Sequence, residues 1–152
     1  MTTISKTYAD IPFGHRQHKH KGHCAWIHGH NWSFTITFSA KQLDECGFVV
    51  DFGKLKWIKK WIEEKLDHSL LLNVDDPIFK RHGDVLEGYA RLLAVPDCSC
   101  EGLAQWIYDA LEKHLKSTAD EELAHAVHTR GLHIVSVQLF EDARNSATFT
   151  KS

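Results

Sequence analysis

The sequence predicts an α+β domain, a four-stranded antiparallel sheet with two helices packed on one face, in the order β-β-α-α-β-β. Three observations carry this expectation. Residues His28 to Ala40 alternate between apolar or aromatic and small polar side chains, the period of a half-buried strand. Residues Asp51 to Leu66 switch to a helical period, and Leu132 to Glu141 alternate once more.

Each element follows from its own pattern. A first strand runs from about Ile4 to His15, with Ala9, Ile11, Phe13 and His15 sharing parity. Pro12 withholds a ladder donor, so this strand is expected to be an edge there or to carry a bulge. In the second strand His28, His30, Trp32, Phe34, Ile36 and Phe38 face one way, and Gly29, Asn31, Ser33, Thr35, Thr37 and Ser39 the other. The first helix places Leu55, Ile58, Ile62 and Leu66 on one stripe, with Asp51 as N-cap and Lys54, Lys56, Lys59 and Lys60 toward solvent. A second helix fits Glu101 to Lys116, starting at Ser99 or Cys100. Val85, Leu86, Tyr89, Leu92 and Leu93 suggest a short extra helix in the connection, while residues 117–131 are polar and carry no pattern. In the third strand Val135, Val137, Leu139 and Glu141 share a face, and a short last strand spans about Ser146 to Lys151. One sheet face stays polar, so the sheet is free to continue across subunits.

With 152 residues and no linker, repeat or low-complexity tract, the chain reads as one domain over 1–152. Eighteen basic and 20 acidic side chains leave a formal charge of −2, which argues against a dedicated nucleic-acid binder. No apolar run approaches a bilayer span, and Met1-Thr2-Thr3 opens no signal peptide, so a cytoplasmic protein without membrane partners is expected. Four cysteines at Cys24, Cys46, Cys98 and Cys100 are too few for a disulfide framework. The unusual number is 12 histidines, of which His15, His18, His20, His23, His28 and His30 fall within sixteen residues.

His28 and His30 are two apart on a strand, so both imidazoles leave the apolar face together. Side-by-side, partly buried imidazoles are satisfied by a metal ion or by hydrogen bonds within a core. His15 lies on the matching face of the preceding strand. Three neutral nitrogens with one position left open is the pattern of a catalytic zinc site. Cys24, four residues before His28, is either a fourth ligand or a proton-transferring thiol; spacing alone does not separate the two. Asp67-His68 pairs a carboxylate with an imidazole that it can orient for acid–base work. Glu141 continues a buried parity, and its carboxylate either accepts two adjacent N–H donors of a ligand or pairs with Arg144 or another cation. Arg16, Lys19 and Lys21 form a basic loop that either takes an anion or is merely solvated.

The run His15-Arg16, Gly22-His23-Cys24, Cys24-x-x-x-His28-Gly29-His30, Asp51-Phe52, Leu66-Asp67-His68 and Glu141 resembles the 6-pyruvoyltetrahydropterin synthase / 6-carboxytetrahydropterin synthase family. Three residues between cysteine and His-Gly-His look like the bacterial carboxy type of the queuosine pathway. The resemblance implies the tunnelling fold (T-fold), a homo-oligomer built as a dimer of trimers, and active sites at subunit interfaces. It implies zinc on His15, His28 and His30, with Cys24, Asp67 and His68 as catalytic groups. Substrate binding falls to Glu141, Glu101, Arg16 and Lys21. The implied substrate is 7,8-dihydroneopterin triphosphate, which loses triphosphate and, in the carboxy branch, acetaldehyde. Departures are Pro12-Phe13-Gly14 before His15, Trp26 in a place often basic, and a connection from Arg81 to Val95 that is longer than usual. Asp97-Cys98-Ser99-Cys100-Glu101-Gly102 replaces the family's Pro-Thr-Ser-Glu-Asn, a change to the segment's pterin contacts in which Glu101 survives. The other readings are a pyruvoyl-type or altered-specificity pterin lyase, and a non-enzymatic histidine-rich zinc-binding protein.

Overall fold

The computed structural model describes all 152 residues, Met1–Ser152. Strands β1 (Thr3–His15) and β2 (His28–Ser39) form a long antiparallel hairpin, joined by the basic loop. A turn of 3-10 helix over Phe52–Leu55 leads into α1 (Lys56–Lys65), and Asp51 caps it by accepting from the Gly53 N–H at 2.8 Å. Then follow β3 (Ser69–Asn73), α2 (Pro77–Glu87), β4 (Arg91–Val95), α3 (Cys100–Lys116), α4 (Glu121–His128), β5 (His133–Phe140) and β6 (Ser146–Thr150).

The sheet has six strands, not four, in the order β4-β3-β1-β2-β5-β6. The expected antiparallel part is present as β1, β2, β5 and β6. The two added strands run parallel to β1, through crossovers that contain α1 and α2. All five residues of β3 are buried, so it shows the continuous apolar run of a covered parallel strand and no alternation. Leu92 and Leu93 lie in β4 and not in the expected extra helix, which instead begins at Pro77 behind the Asp76 N-cap. The patternless stretch holds α4, capped by Asp120.

Two bulges correct the expected parities. In β1 the pairing with β2 shifts between Tyr8 and Ile11, where Asp10 takes a φ of 57°. Ala9 is therefore exposed, while Ile11, Phe13 and His15 face the core. In β5 the register shifts opposite Thr37/Phe38, so Ile134, Val137 and Leu139 are buried and Val135 drops out of that set. The parity from Val137 through Leu139 to Glu141 survives.

Trp32, Phe34, Ile36 and Phe38 of β2 are completely buried beneath Leu55, Ile58 and Ile62 from the first helical segment and Leu103, Ile107 and Leu111 of α3. Burying side chains of this size is worth about 1.5–3 kcal/mol each. The opposite face of the hairpin carries exposed hydroxyl pairs, Ser5 with Thr37 at 3.0 Å and Thr7 with Thr35 at 2.7 Å. No helix is long and apolar enough to cross a membrane.

Candidate metal centre

The hairpin sets the centre by register alone. His15 ends β1 directly opposite His28, which starts β2, and Phe13 lies opposite His30. All three imidazoles leave the core face at the mouth of the hairpin, with ring centroids 4.6 to 5.3 Å apart. Trp32 closes the floor, its ring edge-on to both His15 and His30 and its Nε1 donating to Phe13 O at 3.1 Å.

In two of the rings, His15 and His28, a hydrogen bond at the far side fixes which nitrogen faces inward. His15 Nδ1 is 2.8 Å from the Cys98 carbonyl and His28 Nδ1 is 2.7 Å from the Trp26 carbonyl. A carbonyl only accepts, so both Nδ1 atoms carry the hydrogen and both Nε2 atoms present lone pairs. Burial pushes the His15 pKa below the usual imidazole value, which keeps the ring neutral. The Cys98 carbonyl is itself held, because Cys98 N–H donates to Asn73 Oδ1 at 2.6 Å. Asn73 also donates to Gln17, and Gln17 to Asp97 at 3.1 Å. These supporting groups carry no sequence signal, since their partners lie far apart in the chain.

His15, His28, His30 and Glu141 each offer a ligand atom, and these atoms all lie within 4.8 Å of one another. The Nε2 atoms of His15 and His30 are buried and in no hydrogen bond. Two orphaned buried ring nitrogens beside a carboxylate, that of His15 with its lone pair free, fit a divalent cation, and a set of imidazoles with one carboxylate suits zinc. Glu141 turns to the imidazoles and not to Arg144: its Oε1 is 2.9 Å from His30 Nε2 and 3.5 Å from His15 Nε2.

A cavity of about 510 Å³ opens beside the centre, lined among others by His15, Cys24, Ser99, Cys100, Glu101 and Glu141. Cys24, in the 3-10 turn His23–Ala25, is half-buried on this wall and stands outside the donor group. Cys98 and Cys100 are different: burial pushes their thiols up to about 12 and about 11, so both remain protonated near neutrality.

The other expected site residues are more scattered. Asp67 and His68 form a dyad, with His68 Nδ1 2.6 Å from Asp67 Oδ1, but His68 is largely exposed and neither residue lines this cavity. Arg16 donates through Nε and Nη2 to both oxygens of the buried Asp76, each at 2.7 Å, so its guanidinium ties the loop to the start of α2. Lys19 pairs with Asp75 at 2.9 Å, and Lys21 is exposed.

Residues 3–152 match the model of the family described as 6-pyruvoyl tetrahydropterin synthase. The 6-carboxy-5,6,7,8-tetrahydropterin synthase of Aquifex aeolicus is 31% identical over 129 residues, 83% of this chain and 75% of that protein. The protein of the same name from Rickettsia typhi is 42% identical over 81 residues, 53% of this chain and 56% of its own length. The matched stretch thus spans about half the length of the Rickettsia relative. Among solved structures, an uncharacterized protein from Wolinella succinogenes superposes with a TM-score of 0.79 at 20% identity, covering 99% of this chain and 98% of that one. The 6-pyruvoyl tetrahydropterin synthase of Plasmodium falciparum gives 0.66 at 18% identity, with 99% of both chains covered. These superpositions show the tunnelling fold.

Proposed function

Because the chain belongs to the 6-pyruvoyl tetrahydropterin synthase family, whose model it matches over residues 3–152, we propose that it is a zinc-dependent 6-carboxy-5,6,7,8-tetrahydropterin synthase. The substrate in this reading is 7,8-dihydroneopterin triphosphate, which loses triphosphate and acetaldehyde. The observation that carries the proposal is the convergence of the His15, His28 and His30 rings, with His15 and Cys24 both lining the cavity beside them. The names of the Aquifex and Rickettsia relatives support the carboxy branch.

Zinc would be held by His15, His28 and His30, and when bound it supplies a Lewis acid for the oxygens of the substrate side chain. The remaining work belongs to the chain. Cys24 sits on the cavity wall as the group that takes and returns a proton at the substrate. His68 is the second proton carrier, and Asp67, hydrogen-bonded to its Nδ1, holds the ring so that Nε2 does the transfer. Since this dyad lies outside the cavity of its own chain, it serves the cavity of a second copy in a homo-oligomer. Glu141 and Glu101, both lining the cavity, accept N–H donors of the pterin ring edge. The triphosphate meets the basic loop through Lys21, while Arg16 keeps that loop attached through Asp76.

Incubation of the zinc-loaded protein with 7,8-dihydroneopterin triphosphate, followed by product mass and an acetaldehyde assay, tests the reading. The carboxy product with acetaldehyde is expected. A product that keeps its three-carbon side chain would replace this reading with the pyruvoyl type. No turnover with zinc bound would leave a zinc-binding protein without this activity.

A further inference from the structure

Asp67 and His68 stand where α1 runs out, and a helix end leaves its last four carbonyls without an intrahelical partner. The last helical bond runs from the Leu66 N–H to Ile62 O, so the four are those of residues 63 to 66. Lys65 O accepts from Ser69 Oγ and Leu66 O from the Ser69 N–H, both at 3.0 Å. Glu63 O accepts from Arg91 Nη1 at 3.0 Å, and Glu64 O from Arg91 Nη2. Arg91 Nη1 also donates to Asp67 O at 3.1 Å. A guanidinium presents five N–H donors in a fixed plane, which lets one side chain hold three carbonyls, and its charge suits the negative end of the helix dipole.

Arg91 arrives there because the connection between β3 and α3 builds a strand of its own. β4 pairs in parallel with β3, and Arg91 lies opposite Ser69, the residue after His68. From the other side of β3, β1 offers Pro12 O, which accepts from the His68 N–H at 2.8 Å. The peptide that joins Asp67 to His68 is therefore held at both polar atoms, its carbonyl by β4 and its N–H by β1. His68 takes a φ of 56°, a conformation that residues with a side chain keep only where their surroundings enforce it. Its ring is largely exposed, so packing does not aim it; the backbone and the Asp67 carboxylate do.

We propose that Arg91 is a positioning residue for the Asp67–His68 dyad, acting through the peptide between them and not through the metal centre or the cavity. This inference rests on the preceding reading, in which His68 carries a proton at the substrate.

Zinc-loaded wild type, Arg91→Ala, Arg91→Lys and Ser69→Ala are compared. Nitrogen-15 NMR, with the His68 signals identified by their loss in His68→Ala, shows which ring nitrogen carries the hydrogen and needs no turnover. At a pH where the ring is neutral, wild-type His68 should carry it on Nδ1, against Asp67. In Arg91→Ala the population should move toward Nε2–H. Its kcat on 7,8-dihydroneopterin triphosphate should fall by about tenfold or more, with KM and zinc content unchanged. Arg91→Lys keeps the charge but cannot span three carbonyls, and should lie between the two. Ser69→Ala removes a bond from the same helix end, and should lower the melting temperature while tautomer and kcat stay as in wild type. A wild-type tautomer and kcat in Arg91→Ala, or in Arg91→Lys where the alanine variant does not fold, would overturn the proposal. So would equal effects in Ser69→Ala and Arg91→Ala, since any loosening of the helix end would then suffice. A shifted tautomer in Arg91→Ala with no turnover even in wild type would uphold the hold of Arg91 on the dyad and overturn the activity beneath it.

Discussion

At the residue scale, Asp76 shows how a buried carboxylate at the start of α2 ties down the loop between β1 and β2. Its carboxylate has no solvent contact; it accepts two hydrogen bonds from Arg16 and caps α2 through the Ile78 N–H at 2.9 Å. Burial alone would raise its pKa, but the Arg16 guanidinium and the Ile78 N–H outweigh that and hold it below the usual carboxylate range. A carboxylate with a depressed folded pKa adds stability above the unfolded value of about 3.9, and loses it as pH falls through the folded value. Asp76→Asn should therefore cost about 3 kcal/mol at neutral pH, the penalty for leaving Arg16 partly buried and unpaired. Its melting temperature should also fall less steeply than wild type below about pH 4. A variant with wild-type acid sensitivity would show that the pair adds no stability. None of this was legible in the sequence, where Arg16 looks like an anion-binding residue of a basic loop. His15, His28 and His30 were legible, because strand parity needs only near neighbours along the chain.

At the element scale, alternation revealed the two-sided strands and hid the covered ones. β3 reads Ser-Leu-Leu-Leu-Asn, and a strand buried on both faces has no periodicity to reveal it. The bulges at Asp10 and opposite Phe38 were equally silent, apart from the irregularity that Pro12 led one to expect in β1. The start of α3 matters most for the site. A Cβ on Gly102 would meet Asp97 Cβ at 2.5 Å and Asp97 O at 2.9 Å, so this helix start and the loop before it are in backbone contact. Asp97 Oδ1 accepts from Ser99 N–H at 2.8 Å and from Gln17, and the Cys98 carbonyl between them orients His15. Gly102→Ala should cost about 1–3 kcal/mol by overpacking. Displacement of the Cys98 carbonyl should lower zinc affinity by roughly tenfold as well, measured by chelator competition. Unchanged affinity in a destabilised Gly102→Ala protein would show that this loop does not set the His15 ring.

At the scale of the whole molecule, the groups proposed to carry protons divide into two sets. Cys24 lies in the cavity beside the imidazoles, and the Asp67–His68 dyad faces solvent elsewhere. His68 takes a φ of 56°, and its N–H donates to Pro12 O at 2.8 Å, so the dyad is held outward by the backbone next to β1. If a second copy supplies the dyad, two inactive variants should rescue one another. Cys24→Ala and His68→Ala, unfolded together and refolded as a mixture, should regain about a quarter of wild-type activity through random assembly of mixed interfaces. A mixture as inactive as its components would place both sets in one chain and remove the need for a partner. The polar hydroxyl-lined sheet face was visible in the sequence as the odd positions of β2, whereas the separation of dyad and cavity emerges only from three-dimensional placement.

Counting zinc atoms per polypeptide, after loading and exhaustive dialysis, probes the heart of this account. Wild type and Cys24→Ala should each retain one, the latter without turnover, while His28→Ala should retain none. Zinc kept by His28→Ala, or lost from Cys24→Ala, would mean that sulfur and not the ring trio grips the metal, and the assignment of Cys24 to proton transfer would fail.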